Sequence, residues 1–99
     1  VTRLSFCEVS NSDRYHVQDM DVGGFTLSET VLHAGKSTKG HSHPWPEVYI
    51  GMAGSGVLAL DGEEAGLEPG VRFVVPGGVH HRVSTDGGVS FACFFIGAR

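Results

Sequence analysis

Cysteine is scarce in this chain: there are two in 99 residues, Cys7 and Cys93. Two cannot build a disulfide scaffold, and these two do not make the closely spaced pair of a thiolate metal site. Both fall on expected strands near the sequence ends and read as buried small hydrophobes. Whether they pair stays open at this level. Basic runs are missing too. The formal charge is −4 with His neutral, and no two Lys or Arg are adjacent. A nucleic-acid surface needs a basic patch, so no nucleic-acid partner is expected. No stretch reaches the ~18 apolar residues of a membrane helix, so no membrane partner is expected either. The opening residues, VTRLSFCEVS, lack a charged-then-apolar leader pattern, and a cytoplasmic location is the expectation. Finally, no segment carries an apolar period of 3.6, which excludes a helical bundle.

Glycine, by contrast, is abundant, at 15 residues, as suits a chain of tight turns. Period-two patterning dominates. Strands are expected at 3–9, 25–33, 41–43, 47–53, 57–60, 63–67, 71–75, 79–84 and 89–96, with the 41–43 and 47–53 pieces interrupted at Pro44-Trp45-Pro46. Residues 10–24 are polar and Gly-containing and read as a loop. Asp61-Gly62 is a hairpin turn signal, and Pro69-Gly70, Pro76-Gly77-Gly78 and Asp86-Gly87-Gly88 mark further turns. About eight short strands at this spacing predict an all-β barrel or sandwich of antiparallel strands. The length suits one domain, spanning 1–99.

Two clusters of His and Glu stand out. The first is Gly35-(x5)-His41-x-His43-(x3)-Glu47-(x6)-Gly54, and the second is Gly70-(x5)-Pro76-x-Gly78-(x2)-His81. On a strand, residues two apart share a face, so His41 and His43 are expected side by side. The proline break resets the register and lets Glu47 rejoin them, while His81 arrives from a distant strand. Three neutral imidazoles and a carboxylate suit one divalent Fe, Mn, Ni, Cu or Zn ion, with one or two positions left for water or substrate. Three His and one Glu at fixed places have a chance probability on the order of 10⁻⁵ per register, which argues against coincidence. Such a site is expected to release its metal below about pH 5–6, because protonated imidazoles cannot bind.

Both clusters resemble the two motifs of the cupin superfamily. GKSTKGHSHPWPEVYIGMAG matches the first throughout, and GVRFVVPGGVHH matches the second through His81. The resemblance implies a single cupin-type, jelly-roll-like β-barrel of two antiparallel sheets, with motif 1 at 35–54 and motif 2 at 70–81. It implies metal ligation by His41, His43, Glu47 and His81, and pairing as a homodimer. Thr85 stands where the family often has Asn, a position that is not a usual ligand.

The remaining candidates follow from parity. Tyr49 and Gly51 share the face of Glu47 and are expected inside, which makes Glu47 and Tyr49 the candidate catalytic pair. His33 and Glu29 would line the cavity if their face of the strand is interior. Phe91, Cys93 and Phe95 alternate with Ala92, Phe94 and Ile96, one set packing the interior and the other a sheet or partner; if the first set faces in, it makes the pocket wall apolar. Trp45 is expected at the rim and His80 and Arg82 outside. Arg72 and Arg82 read as the cations nearest the motifs. The function implied by the resemblance is that of a metal-dependent enzyme on a small polar organic molecule, either a dioxygenase or a lyase or isomerase of sugar or organic-acid type. The alternative is a non-catalytic metal- or ligand-binding sensor module.

Overall fold

Alternating side chains sort themselves into a covered face and a bare one, and that sorting organises this chain. The computed structural model describes residues 3–97. It has nine strands: β1 (Cys7–Asn11), β2 (Tyr15–Asp21), β3 (Phe25–Leu32), β4 (Glu47–Gly54), β5 (Gly56–Leu60), β6 (Glu63–Leu67), β7 (Arg72–Val75), β8 (His81–Ser84) and β9 (Val89–Ile96). Six form one sheet in the order β1-β2-β3-β9-β4-β7, and three form a second in the order β6-β5-β8. Every pairing is antiparallel. This is the all-β, two-sheet architecture expected. Among the described residues there is no helix long and apolar enough to cross a membrane.

The core lies between the sheets. Leu32, Val89, Phe91, Tyr49 and Val75 from the larger sheet meet Leu58, Leu67 and Val83 from the smaller. Of the two alternating sets on β9, Phe91, Cys93 and Phe95 are the one that faces inward, and all three are buried. Strand β3 behaves differently from its apolar pattern. Its buried set is Thr26, Ser28, Thr30 and Leu32, while Phe25, Leu27, Glu29 and Val31 face out. The interior of the barrel is thus partly lined with hydroxyls, and the apolar side of this strand is the outer one.

Two expectations about the N-terminal third are corrected. Residues 10–24 are not a loop: they contain the end of β1 and all of β2, which pairs with β3 along its full length. The polar residues of β2 sit half-buried near the sheet edge, so no clean alternation marks the strand. Cys7 is not buried but exposed. It shares a row with Asp19, Ser28 and Cys93, three strand spacings, or ~14 Å, from Cys93. That is too far for a disulfide.

One close approach closes the barrel beside β4. Gly51 faces inward, donates its N–H to the Val71 carbonyl at 2.9 Å and accepts from the Gly70 N–H at 3.0 Å. A Cβ there would overlap the Glu68 carbonyl oxygen, whereas one on Gly66 would meet open space. Gly51→Ala should therefore lower stability by about 2 kcal/mol or more through displacement of the turn. Gly66→Ala should stay within about 1 kcal/mol of the parent or gain slightly. Urea denaturation of both variants checks this, and equal midpoints would refute the packing argument.

Candidate metal centre

The segment between β3 and β4 is laced to β8. Thr38 donates its N–H to the Val83 carbonyl at 2.8 Å, and the Thr38 hydroxyl accepts from the Val83 N–H at 3.0 Å. Three residues on, His41 and His81 exchange both backbone hydrogen bonds, at 3.0 and 2.9 Å. Gly40, with φ +82°, lets the chain lie against the His80 ring, which a Cβ would approach to 2.8 Å. The expected strand at 41–43 is therefore a single bridge. Its consequence is direct: His41 and His81 are cross-strand neighbours, and their rings lie 4.5 Å apart at 81°.

His43 is placed by the proline break. Its Nδ1 lies 2.7 Å from the Trp45 carbonyl oxygen, and Trp45 stacks on its ring at 5.2 Å and 10°. The turn of the second motif docks onto the same segment. The Gly78 N–H donates to the His43 carbonyl at 2.6 Å, and Gly77 lies where any Cβ would overlap the Pro44 carbonyl. The two motifs thus hold each other through backbone contacts.

The result is three imidazoles around one carboxylate oxygen. Glu47 Oε1 lies 3.2 Å from His43 Nε2, 3.4 Å from His81 Nε2 and 3.9 Å from His41 Nε2. The four ligand atoms fall within 4.8 Å of one another. In His43 and His81 the Nδ1 faces a backbone carbonyl, which can only accept, so each Nδ1 carries a proton. In the neutral ring, Nε2 then presents a lone pair to a carboxylate. Two acceptors cannot face each other at that range without a proton or a metal ion between them. His81 Nε2 is in fact a buried polar atom with no hydrogen-bond partner. Adjacent ligands ~2.1 Å from a shared ion lie about 3.0–3.4 Å apart; the Glu47 separations from His43 and His81, 3.2 and 3.4 Å, match this, and that from His41 is wider at 3.9 Å. The donor set fits a divalent metal, and these four residues could bind one.

The electrostatics agree. Burial pushes the Glu47 carboxyl up, but His41, His81 and His43 outweigh that and hold it well below the usual carboxylate range. Burial pushes His81 down; the Glu47 carboxylate and the Val79 carbonyl reverse this and raise it above its ordinary 6.5. Burial, with Cys93 and Glu47 close by, raises the Tyr49 phenol far above its ordinary value, so it keeps its proton.

Two cavities of about 120 Å³ each meet at His41 and Glu47. One is walled by Tyr15, Val17, Ser28, Thr30, Tyr49, Phe91 and Cys93, with Thr38 and Lys39 beside it. The other is walled by Ser42, His43, Trp45 and Phe95. Tyr49 is buried inside as expected, with its ring edge-on to His81 at 5.8 Å. Trp45 is half-buried at the rim, and His80 and Arg82 are exposed outside. Glu29 and His33 do not reach the site, because their face of β3 is the outer one; Glu29 instead accepts a hydrogen bond from Gln18. Thr85 serves the fold, donating to the Ser55 carbonyl at 2.6 Å and accepting from the Gly88 N–H at 3.0 Å.

Sequence reasoning missed several cavity residues. Lys39 sits inside the first motif and is closer to the centre than the two arginines singled out. Its spacing from His41 was the available signal. Tyr15 and Val17 were hidden because β2 did not look like a strand.

Comparison with known proteins agrees with this geometry. The chain is 35% identical over 65 residues to dimethylsulfoniopropionate lyase DddW of Ruegeria pomeroyi, a match covering 65% of this chain and 43% of the lyase. The chain thus spans less than half the length of that curated relative. In structure it is similar to an RmlC-like cupin of Shewanella frigidimarina, with TM-score 0.83 and 20% identity, covering 95% of this chain and 86% of the other. It is also similar to salicylate 1,2-dioxygenase of Pseudoaminobacter salicylatoxidans, with TM-score 0.81 and 21% identity over 88% of this chain and 26% of that one. At such identities these two likenesses concern the fold alone. Residues 28–97 match the Cupin_2 family model, described as a cupin domain, and the chain belongs to that family.

Proposed function

We propose that this chain is a metal-dependent lyase domain acting on a small organic carboxylate, with His41, His43, Glu47 and His81 holding the ion. The observation that carries the reading is the set of Nε2 atoms turned onto Glu47 Oε1 at the junction of two small cavities. The likeness in sequence to a lyase favours bond cleavage over dioxygenation. A cavity of about 120 Å³ is well below the ~300 Å³ at which drug-sized pockets begin, so the substrate is small.

Each residue has a task in this reading. A divalent ion held there would act as a Lewis acid on a substrate oxygen. Glu47 reduces the positive charge of the centre and fixes the imidazoles around it. Lys39 is the one permanent cation among the described residues lining the cavity that Tyr49 and Cys93 wall, placed to attract a carboxylate. Tyr49, protonated and buried, donates a hydrogen bond from its phenol to the substrate. Phe91 and Cys93 keep bulk water from the inner wall.

The first test is composition. Natively purified protein should carry about one transition metal per chain by elemental analysis, and His81→Ala should weaken its binding at least about tenfold. Unchanged affinity in that variant would remove His81 from the ligand set. Dimethylsulfoniopropionate is the first substrate to try, its loss followed by NMR beside an oxygen electrode. Substrate loss without oxygen uptake supports a lyase; stoichiometric oxygen uptake with any substrate would overturn it. Lys39→Ala should raise KM about tenfold while leaving metal content intact, and an unchanged KM would remove Lys39 from substrate binding.

The acid response follows from the shifts. In the metal-free protein, the Glu47 contribution to stability is present above its unfolded value of 4.5 and is lost as pH falls through the depressed folded value. The His81 contribution is complete below 6.5 and is lost as pH rises through its raised folded value. Metal binding runs the other way, since it needs His81 neutral. Weakening should therefore begin above pH 6.5, earlier than the pH 5–6 expected from unperturbed imidazoles, at about tenfold per pH unit for each proton displaced. Chelator competition at pH 7.5, 6.5 and 5.5 measures this, and a flat profile would contradict it.

A further inference from the structure

The two cavities that meet at the ligand cluster differ in kind. His41 and Glu47 border both. On one side stand Lys39, the buried hydroxyls of Ser28 and Thr30 and the Tyr49 phenol. The other side has no Lys or Arg among the described residues that line it, and rings make its walls. Trp45 stacks on His43 at 5.2 Å and 10°, and on Phe95 at 6.4 Å and 24°. Phe95 is buried and Trp45 half-buried, so this aromatic slot runs from the rim inward.

The polar atoms beside the slot are engaged with one another. His43 Nδ1 lies 2.7 Å from the Trp45 carbonyl oxygen, and His43 Nε2 faces Glu47 Oε1 at 3.2 Å. An end group that hydrogen-bonds to water would lose those bonds on entering and find few in return. An alkyl group has none to lose and gains by leaving water. The volume of about 120 Å³ admits a branched group of a few carbons. The first cavity has the opposite preference, since its ammonium and hydroxyls suit a carboxylate.

Taking the centre to bind a small organic carboxylate, as proposed above, we infer that the Trp45–Phe95 cavity is a second substrate subsite, which takes a small alkyl end group while the carboxylate of the same molecule lies on the Lys39 side. The substrate then has two unlike ends, and Trp45 and Phe95 select the apolar one. Because both cavities end on His41 and Glu47, the atoms that join the two ends lie at the ligand cluster.

Three acids test this in the metal-loaded protein: propanoate, 4-methylpentanoate, which adds an isopropyl group, and succinamate, in which an amide replaces that group. By calorimetry, 4-methylpentanoate should bind at least about tenfold tighter than either of the others, an increment that burial of its isopropyl group supplies. It should also shift the emission of Trp45, the one Trp in the chain. Trp45→Ala should abolish the preference and Trp45→Phe should keep most of it. Both should retain the parent's metal content and its affinity for propanoate, because His43 is held by the backbone carbonyl at position 45 rather than by the indole. Equal affinities for propanoate and 4-methylpentanoate would overturn the subsite and leave the carboxylate reading standing. So would a preference that survives Trp45→Ala, or a tighter fit for succinamate. Failure of all three acids to bind would overturn the carboxylate reading and the subsite with it.

Discussion

A carboxylate with 4% of its surface exposed must be matched by positive charge, or the cost of removing it from water is several kcal/mol. Glu47 is that carboxylate, and the surrounding structure answers it. Three imidazoles converge on its Oε1, and two of them have the opposite ring nitrogen tied to a carbonyl. A proton on a ring satisfies the carboxylate in the absence of metal, and a divalent ion satisfies all four groups at once. The same geometry therefore serves two states. Proton and metal would compete for one set of lone pairs, so the raised His81 and depressed Glu47 arise from the same cluster that could hold the ion.

Backbone pairing, rather than side-chain packing, holds the imidazoles in place. His41 sits on a bridge to His81, and the Thr38 hydroxyl and amide stitch the preceding turn to Val83. Gly77 and Gly78 bring the second motif against Pro44 and His43. Such contacts are directional and short, so they fix ring positions more tightly than apolar contacts would. The apolar core of Leu32, Leu58, Leu67, Val83 and Val89 lies beyond the cavity and supplies cohesion. The hydroxyls of β3 border the cavity itself. Polar and apolar halves of one barrel interior thus divide the work between binding and stability.

The clustering of His41, His43, Glu47 and His81 was legible because each lies at a fixed step from a turn-forming glycine or proline, and such residues tie sequence spacing to geometry. The strands were legible wherever period-two patterning was clean, as in Phe25-Thr26-Leu27-Ser28 at the start of β3. Patterning failed at β2, whose residues are half-buried on both faces, so hydrophobicity carried no period. The face of β3 was also misleading. Its apolar set, Phe25, Leu27 and Val31, looks like a core stripe, but the core side is Thr26, Ser28, Thr30 and Leu32. A barrel interior lined with hydroxyls inverts the usual rule, and sequence hydropathy cannot distinguish an apolar interior from an apolar outer face. The side-by-side placement of His41 and His43 on one strand was right in outcome but wrong in cause: the close pairing is with His81, across strands.

That inversion ties the outside of the sheet to its inside. Strand β4 carries Glu47 and Tyr49 inward and Val48 and Ile50 outward, and β9 carries Phe91, Cys93 and Phe95 inward and Phe94 and Ile96 outward. With period two, neither set can be shifted without exchanging the other. An apolar outer row beside a partly polar inner one leaves little hydrophobic free energy to separate the two registers. Close packing supplies the difference instead. A Cβ at Gly51 would overlap the Glu68 carbonyl oxygen, so a one-residue slip of β4 would drive the side chain of Ile50 or Met52 into that carbonyl. The register that places Tyr49 between Cys93 and Phe73 is then held by a steric stop rather than by hydropathy.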